Sequence, residues 1–410
     1  MPEIKKFLII IGDGMGDLPI PALDNRTPLE AARTPHLDEI AKNGRVGLMQ
    51  TIYPNLPIGS IVANMGILGF NPYEYYPNGR ASFEALAKGI SLKDNDLAFR
   101  CNLISLDGER IKDFTAGNIS DGEAGAMLTR LQVPHNEFEI GVFPGMSYRN
   151  LLIIRDAAIS ADEIVCFEPH MNIGQEIHDI LPHGRSDRAR RAVPYLRQLL
   201  LDSIPQFKKL NEKFHTKADM IWLWSPSAPP VLPDIKEKFG ITGGIVCGMD
   251  FLKGIGLACS MQIEHIPGAN AYIDTNYAGK LETAKKFLQQ VDLVYVHINA
   301  PDEEAHKRDV GGKIKSIELI DREIMGPLLH YCQQHWPEAF RVMVLPDHYT
   351  LLSDGRHTAH HVPVALYGAG IVADTTTRLS ESQAGRAGQD HYGKSYDFMK
   401  TFLHDTLGGR

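Results

Sequence analysis

Residues 293–298 read Leu-Val-Tyr-Val-His-Ile, an apolar run typical of a strand that is buried on both faces of a sheet. The segment from Lys313 to Leu329 has helical spacing, and Val342 to Leu345 is a second apolar run. A strand, a helix and a strand in this order predict a parallel sheet with right-handed crossovers. The run from Phe7 to Ile11, which ends at Gly12, adds a further buried strand. The sequence therefore predicts an α/β fold with a mostly parallel sheet flanked by helices.

The middle of the chain has a different pattern. Between residues 96 and 249, short β-like runs such as Leu151 to Ile154 accompany one long polar helix and proline-rich loops. Residues 225–230, Ser-Pro-Ser-Ala-Pro-Pro, are typical of a boundary loop or a hinge. We therefore predict that residues 1–95 and 250–410 form the core, and that residues 96–249 form a smaller α+β lobe inserted into it.

Composition excludes several classes of protein. The formal net charge of −8 over 410 residues argues against a general role at nucleic acids or membrane surfaces. No apolar stretch approaches the ~20 residues that span a bilayer. The 5 cysteines show no CxxC pairing, which indicates reduced thiols and a cytoplasmic protein. The oligomeric state stays open at this level.

Three short segments near the C-terminal end place carboxylates and imidazoles together. Asp302 and His306 are four residues apart and share one face if this segment is helical. Asp347 and His348 directly follow the apolar run that ends at Leu345, and His357 comes within ten residues. An acid and a histidine on a helix surface are common without a ligand, but three such segments in order, at strand ends, indicate a site for two divalent cations.

Asp13 and Ser60 extend this set. Asp13 lies after the first strand in Gly-Asp-Gly, where ligands bind in open α/β sheets, although a turn aspartate is the alternative. Ser60 precedes a helical stretch, and a serine there is commonly an N-cap. The same position would also direct helix N–H groups at a phosphate on the serine oxygen, and a bound metal would make that oxygen a nucleophile.

These motifs together resemble the alkaline phosphatase superfamily and, within it, the archaeal-type, cofactor-independent phosphoglycerate mutases, with this chain as a divergent member. The resemblance runs over nearly the whole chain and includes IIIGDGMGDLP (9–19), GSIVAN (59–64), FRCNL (99–103), VHINAPDEEAH (296–306) and LPDHYT (345–350). It implies a glycolytic isomerase in which a serine carries the phosphoryl group between the two hydroxyls of a glycerate.

The resemblance also implies the cofactors. Two divalent ions, Mn²⁺, Mg²⁺ or Zn²⁺, would flank the serine, with no organic cofactor. One ion would be held by Asp13, Ser60, Asp347 and His348. The other would be held by Asp302, His306 and His357. His360 and His361 stay open as ligands or surface residues.

A small anionic phospho-metabolite is the implied partner, and basic residues should hold it. Arg80, Arg149 and Lys253 match family positions, and Arg80 and Lys253 would also assist catalysis; each could otherwise be a surface cation. A dense basic cluster lies on a predicted helix at residues 183–191. A solvated helix face is the default for such a cluster, but Arg185, Arg188 or Arg191 could clamp an anion if directed into the site.

Some family positions are changed, and most of them lie in or near the inserted lobe. An arginine is missing at the end of residues 211–214, and Trp224 is followed by Ser-Pro-Ser where the family has Gly-x-Gly; the other changes are Ile61, Asn150, Met171, and His360 with His361. These changes favour an alternative function as a phosphatase, phosphotransferase or mutase for another phospho- or phosphono-acid. A non-enzymatic protein that keeps metals for structure is a further alternative, against which the intact Ser60 argues.

Overall fold

The structure, a computed structural model, describes residues 4–134, 137–386 and 390–408. The three strands expected from residues 7–11, 293–298 and 342–345 are all present. In chain order the strands are β1 (Lys6–Gly12), β2 (Arg45–Gln50), β3 (Leu97–Asp107), β4 (Arg110–Asp113), β5 (Glu139–Met146), β6 (Arg149–Arg155), β7 (Ile164–Val165), β8 (His183–Gly184), β9 (Met220–Ser227), β10 (Gly243–Val246), β11 (Gln262–Ile263), β12 (Leu293–Ile298), β13 (Phe340–Leu345), β14 (Tyr349–Thr350), β15 (His357–Thr358), β16 (Val362–Gly368) and β17 (Asp390–Lys394).

The α-helices alternate with the strands through much of the chain. They are α1 (Pro28–Ala31), α2 (Pro35–Lys42), α3 (Ser60–Ile67), α4 (Pro72–Tyr75), α5 (Ala81–Ala87), α6 (Asp121–Leu128), α7 (Asp187–Phe214), α8 (Ile235–Phe239), α9 (Asp250–Ala258), α10 (Tyr277–Gln290), α11 (Ala300–His306), α12 (Val310–Leu319), α13 (Gly326–His335), α14 (Glu381–Ala384) and α15 (Ser395–His404). Short 3₁₀ helices lie at Pro21–Leu23, Ala161–Glu163, Pro169–Met171 and Ile177–Ile180. None of the helices in the described part of the chain is both long and apolar enough to cross a membrane.

The helix expected from Lys313 to Leu329 is longer than predicted and is not uniform. It begins with α12 and ends with α13, and the π-helical segment Ile320–Met325 joins the two. Asp321 in this segment accepts a hydrogen bond from the backbone N–H of Leu37 over 2.7 Å. The π-helical turn therefore carries a contact to α2 that the apolar spacing of the sequence did not indicate.

The chain divides into two units, and we describe each by itself. The sheet unit comprises the residues up to Tyr76 and from Leu232 onward, and the inserted unit is Pro77–Val231. These bounds differ from the predicted lobe of residues 96–249. At the first edge, α5 belongs to the inserted unit because the hydroxyls of Ser82 and Ser227 lie 2.6 Å apart. At the second edge, β10 pairs in parallel with β12 and so belongs to the sheet unit.

The main sheet of the sheet unit has the strand order β11-β10-β12-β1-β13-β16-β2-β17 among the described residues. All neighbouring pairs are parallel except those that involve β16, which runs antiparallel to both β13 and β2. The predicted α/β class with a mostly parallel sheet is therefore confirmed. The central strands β1, β12 and β13 are adjacent and parallel, so their carboxyl ends lie at one edge of the sheet.

Helices cover both faces of this sheet, because alternate residues of β1 pack against different helices. Leu8 and Ile10 belong to a core that also contains Leu37 of α2 and Leu288 of α10. On the other face, the ring of Phe7 lies 5.7 Å from that of Phe402 in α15. Burial on both faces explains why these strands have continuous apolar sequences.

The inserted unit is an antiparallel sheet with a long helix. In this sheet β3 pairs with β6 on one side and β9 on the other, and β5 pairs with β6. Alternate residues of β3, such as Cys101, share a core with Leu199 of α7, whereas Ala98 packs with Ala85 of α5. The two helices therefore cover opposite faces. The backbone N–H of Ala228 donates to the carbonyl of Pro77 over 3.0 Å, so the two ends of this unit are neighbours.

Candidate active site

The candidate site lies at the carboxyl ends of the three central strands of the sheet unit. Asp13 follows β1, Asp302 lies in α11 directly after β12, and Asp347 and His348 follow β13. Because parallel strands present their carboxyl ends at one edge, residues far apart in sequence meet there. The residues predicted as metal ligands form two groups at this edge.

The first group consists of Asp302, His306 and His357. His306 Nε2 lies 3.2 Å from Asp302 Oδ2, and His357 Nε2 lies 3.2 Å from Asp302 Oδ1. The two Nε2 atoms are 3.1 Å apart. The Nδ1 group of His306 donates to the carbonyl of Gly355 over 2.8 Å, so its Nε2 carries a lone pair in the neutral ring. Three ligand atoms thus converge on one point.

The second group consists of Asp13, Asp347 and His348, with Ser60 beside it. His348 Nε2 lies 3.5 Å from Asp13 Oδ1 and 3.7 Å from Asp347 Oδ2. Ser60 Oγ lies 3.1 Å from His348 Nε2 and 3.4 Å from Asp13 Oδ1. The side chains of both aspartates and the histidine are buried, while Ser60 is partly exposed. The hydroxyl therefore faces two of the expected ligands.

The spacing within both groups fits a bound divalent ion. Ligand atoms held tetrahedrally at about 2.1 Å from an ion lie roughly 3.4 Å from one another. Within each group, counting Ser60 with the second, neighbouring ligand atoms lie 3.1 to 3.7 Å apart. Carboxylate oxygens and imidazole nitrogens suit Mn²⁺ and Zn²⁺, and oxygen donors also suit Mg²⁺. The donor set and its spacing thus both fit the predicted cofactors.

The charges of the second group also favour a cation. Burial raises the pKa of Asp13 well above its ordinary value, and the nearby carboxylates of Asp347 and Asp302 raise it further. Burial lowers the pKa of His348 to about 4, so this imidazole is neutral near pH 7 and available as a ligand. Burial and the neighbouring carboxylates therefore disfavour a negative charge on Asp13, and a bound divalent ion would offset this effect.

In the first group, hydrogen bonds with histidines stabilise the negative charge of the carboxylate. Burial would raise the pKa of Asp302, but hydrogen bonds with His306 and His357 hold this pKa well below its ordinary value. The hydrogen bond with Asp302 raises the pKa of His306 to about 9. In the absence of an ion, protonated His306 thus offsets the charge of Asp302. An ion that binds here must displace this proton, so its affinity should fall with decreasing pH.

Ser60 is not the N-cap of its helix, which was the alternative role. The N-cap position is Gly59, and Ser60 is the first residue of α3, with no capping hydrogen bond from its side chain at that end. The first N–H groups of a helix lack partners within the helix and favour an anion. The position of Ser60 therefore suits a phosphoryl group on its Oγ.

Three polar residues that the sequence analysis did not single out hold the second group in place. Asn64, one turn after Ser60, donates to Asp347 Oδ2 over 2.9 Å and accepts from the hydroxyl of Tyr295 over 2.5 Å. Asn299 donates to Asp13 Oδ2 over 2.6 Å. A signal for Asn299 was present, because it directly follows β12. Tyr295 lies within the apolar run of that strand, so its role had no signal in the sequence.

The predicted substrate residues fall in both units. In the inserted unit, Arg80 and Arg149 lie near Arg100, and the guanidinium carbons of Arg80 and Arg100 lie 5.6 and 4.4 Å from the ring of Trp224. Arg100 is 5 % exposed and pairs with Glu84 over 3.0 Å. Burial and the neighbouring arginines lower the pKa of Arg100 to about 10. Three guanidinium groups around one carboxylate leave a net positive charge, which suits an anion. Sequence reasoning missed Arg100.

Lys253 lies in the sheet unit. It is part of α9, and its Nζ lies 3.0 Å from Asp250 Oδ1. The charge of Lys253 influences the pKa values of Lys280 and Cys247, so both of these buried residues lie near it. Its predicted role at the serine or the phosphate stays a prediction.

Arg185 and Arg188 are not brought together with Arg80 and Arg149. Arg185 donates to the carbonyl of Asp162 over 3.3 Å, and Arg188, near the start of α7, donates to the carbonyl of Ala157 over 2.6 Å. Because α7 covers the sheet face opposite to α5, these arginines lie apart from the cluster around Arg100. Arg188 and Arg191 instead line a cavity of about 320 Å³. Their role as an anion clamp stays a prediction.

His360 and His361 lie outside the two ligand groups. The ring of His360 stacks on Tyr349 at 5.1 Å, and its Nδ1 lies 2.7 Å from the hydroxyl of Thr358. His361 is exposed, and burial and the nearby His391 lower its pKa. The structure thus places both histidines as residues beside the site.

Known proteins are similar to this chain in sequence and fold. Residues 41–211 match the family model described as 2,3-bisphosphoglycerate-independent phosphoglycerate mutase. A protein of that name from Methanothrix thermoacetophila is 38 % identical over 390 residues, which cover 93 % of this chain and 96 % of the relative.

Solved structures agree with this assignment. A protein from Pyrococcus horikoshii, 24 % identical, has the same fold, with a TM-score of 0.79 over 98 % of this chain and 97 % of the other. The cofactor-independent phosphoglycerate mutase from Thermoplasma acidophilum is 27 % identical, with a TM-score of 0.64 over 98 % of this chain and 99 % of the other. Relatedness over nearly the full length shows that the chain belongs to the 2,3-bisphosphoglycerate-independent phosphoglycerate mutase family, which consists of isomerases.

Proposed function

We propose that the chain interconverts 3-phosphoglycerate and 2-phosphoglycerate by passing the phosphoryl group through Ser60. The observation that carries this proposal is the position of Ser60 Oγ, 3.1 Å from His348 Nε2 and 3.4 Å from Asp13 Oδ1. A nucleophile placed among metal-binding side chains and at the start of a helix suits phosphoryl transfer. Family membership supports the choice of substrate.

Two divalent ions are part of this proposal. Asp13, Ser60, Asp347 and His348 would hold one, and Asp302, His306 and His357 the other. When bound, such ions would neutralise the charge of the transferring group and lower the pKa of the serine hydroxyl. Asn299 and Asn64 orient the two aspartates for this task.

The reaction divides into two displacements at phosphorus. Ser60 Oγ loses its proton and attacks the phosphoryl group of the substrate, the bond from phosphorus to the glycerate oxygen breaks, that oxygen takes up a proton, and phosphoserine forms. The other hydroxyl of the bound glycerate then loses its proton and attacks the same phosphorus, the bond to Ser60 Oγ breaks, and Ser60 Oγ regains a proton. The first N–H groups of α3 favour the negative charge on the phosphoryl oxygens during both steps.

The arginine cluster of the inserted unit is proposed to bind the substrate. Arg80, Arg100 and Arg149 outnumber the one carboxylate of Glu84, which leaves positive charge for a carboxylate or phosphate. Guanidinium groups bind both anions through two parallel hydrogen bonds. Lys253 is the corresponding cation proposed for the sheet unit.

A second candidate is a phosphatase, a phosphotransferase or a mutase that acts on another phospho- or phosphono-acid. It is favoured by the changed segment Trp224 to Ser227, which lies beside the arginine cluster. The backbone N–H of Arg80 donates to Ser225 Oγ over 3.3 Å, and Ser225 has a left-handed backbone with φ of 51°. An altered frame around Arg80 would alter which acid is bound there.

The experiment compares two reactions in one protein sample with Mn²⁺ present. Conversion of 3-phosphoglycerate to 2-phosphoglycerate is measured beside hydrolysis of p-nitrophenyl phosphate, for the wild type and for Ser60→Ala. The proposal expects mutase activity that Ser60→Ala abolishes, together with phosphate on Ser60 in acid-quenched wild type by mass spectrometry. Hydrolysis without mutase activity in a folded sample would favour the second candidate. Unchanged activity of Ser60→Ala would contradict both.

A further inference from the structure

The hydroxyl of Thr350 lies between the two ligand groups. Its Oγ1 is 2.5 Å from Oδ1 of Asp302, in the first group, and 3.2 Å from Nδ1 of His348, in the second group. Thr350 is fully buried, so no solvent competes for these two hydrogen bonds. One hydroxyl therefore connects the side chains of both groups.

The direction of these hydrogen bonds follows from the chemistry of the three side chains. An ionised carboxylate can only accept, and a hydroxyl has a single proton to donate. Thr350 Oγ1 donates to Asp302 Oδ1 over 2.5 Å, as expected for a carboxylate that serves as a metal ligand and is therefore deprotonated. The proton of Thr350 consequently points to Asp302, and the oxygen of Thr350 must accept the hydrogen bond from His348. That bond requires a proton on His348 Nδ1 and leaves the lone pair on Nε2.

We propose that Thr350 is a positioning residue that selects this tautomer of His348 and thereby prepares the second group to bind its metal ion. The inference rests on the metal sites of the proposed function. Nε2 is the atom of His348 that lies 3.1 Å from Ser60 Oγ and 3.5 Å from Asp13 Oδ1. Only a lone pair at Nε2 can bind an ion there, and a fixed tautomer removes the need to rearrange the ring proton on binding.

The surrounding structure holds Thr350 in place. Nζ of the buried Lys313 donates to the carbonyl of Thr350 over 2.7 Å and to the carbonyl of Gly16 over 3.0 Å. Gly14 leaves room for the hydroxyl, because a Cβ at this position would lie 2.5 Å from Thr350 Oγ1 and 2.7 Å from Asp302 Oδ1. Gly14 also has a φ of 61°, which disfavours other residues. The Lys313 ammonium and the space at Gly14 thus both support the position of the hydroxyl.

The test uses Thr350→Val, which removes the hydroxyl but keeps the shape, and Thr350→Ser, which restores it. Thr358→Val is the matched control, since Thr358 Oγ1 also contacts a histidine Nδ1 two residues away, that of His360, outside the ligand groups. Long-range ¹H–¹⁵N correlation spectra of metal-free, ¹⁵N-histidine-labelled protein near neutral pH report the tautomer. The signals of His348 are assigned from their loss in His348→Gln. Calorimetric titration with Mn²⁺ reports affinity.

Wild type and Thr350→Ser should show His348 protonated at Nδ1, whereas Thr350→Val should populate the other tautomer and bind Mn²⁺ about 10- to 100-fold more weakly. Thr358→Val should match the wild type. A wild-type His348 protonated at Nε2, or a Thr350→Val protein with unchanged affinity, would overturn the proposal. Failure of Thr350→Ser to restore the wild-type tautomer would overturn it as well. Neither readout needs a phosphorylated substrate, so a failed mutase assay leaves this test intact. The wild-type spectrum decides the matter even if Thr350→Val does not fold.

Discussion

Asn299 donates a hydrogen bond from Nδ2 to Oδ2 of Asp13 over 2.6 Å. The other oxygen of this carboxylate, Oδ1, lies 3.4 Å from Ser60 Oγ and 3.5 Å from His348 Nε2. The amide thus occupies one oxygen of Asp13 and leaves the other directed at the nucleophile. Supporting hydrogen bonds of this kind orient a metal ligand before the ion arrives.

Replacement of Asn299 by alanine should therefore weaken metal binding. The carboxylate of Asp13 would lose a buried partner and could rotate, and we expect the affinity for Mn²⁺ to fall by about 10- to 100-fold. Calorimetric titration of the metal-free protein measures this change. Asn43→Ala, an exposed asparagine at the end of α2, is the control and should bind as the wild type does. Equal affinities of both variants would show that Asp13 needs no such support.

The two ligand groups should each account for one ion. His306→Ala and His357→Ala should each lose one of the two bound metal equivalents and at least about 100-fold in activity, because three ligands become two. Metal content after dialysis, measured by mass spectrometry of the elements, tests this. His360→Ala is the matched histidine control, since His360 stacks on Tyr349 outside both groups, and it should retain both equivalents. Loss of metal from His360→Ala would instead make His360 a ligand.

The arginine cluster of the inserted unit should control substrate affinity. Arg149→Ala removes a guanidinium that the proposal assigns to the substrate, and we expect the KM for 3-phosphoglycerate to rise at least about 10-fold, as for one lost charge-assisted hydrogen bond. Arg190→Ala removes an exposed guanidinium that pairs with Asp187 and donates to the carbonyl of Arg185, and it should change neither kcat nor KM. A lower kcat with an unchanged KM in Arg149→Ala would place Arg149 outside substrate binding.

Glu381 should make stability depend on pH near neutrality. Burial raises its pKa to about 7, although the hydroxyl of Thr27 donates to it over 2.7 Å and the backbone N–H of Asp17 over 3.1 Å. A carboxyl with a raised pKa in the folded state stabilises the fold when protonated. This contribution is fully present below the unfolded pKa and is lost as pH rises through about 7. Since Glu381 is partly exposed, the loss should be about 1 to 2 kcal/mol.

Glu381→Gln should remove this pH dependence, because glutamine keeps an acceptor oxygen but does not titrate. Urea unfolding of both proteins at about pH 5 and about pH 8 measures the effect as the change in the free energy of unfolding. The variant should be the more stable protein at the higher pH. An equal decrease in both proteins would assign the dependence to other groups.

Much of the sheet and the grouping of the acidic and histidine side chains could be predicted because both follow from local patterns. Doubly buried strands have continuous apolar runs, and residues that follow parallel strands meet at one edge, as Asp13, Asp302 and Asp347 do. The supporting residues could not be found in this way. Thr350 and Tyr295 act through contacts with elements distant in sequence, and neither residue type suggests a role by itself.

The unit boundaries and the arginine cluster were missed for a related reason. The helical pattern of α5 does not reveal that its Ser82 contacts Ser227, 145 residues away, and so belongs to the inserted unit. Arg100 is a single charge within a long apolar strand and acquires its environment from Glu84, Arg80 and Arg149. Long-range contacts thus decided both features.

The hydrogen bond between Ala228 and Pro77 has a consequence for protein engineering. Because the inserted unit begins and ends at neighbouring points, its two ends are close enough to be joined by a short linker. The unit is therefore suited to circularisation or to expression as an independent fragment. The same arrangement makes the unit exchangeable between relatives. A chimera that receives another family member's inserted unit would keep every side chain of the two ligand groups while it acquires a different set of arginines.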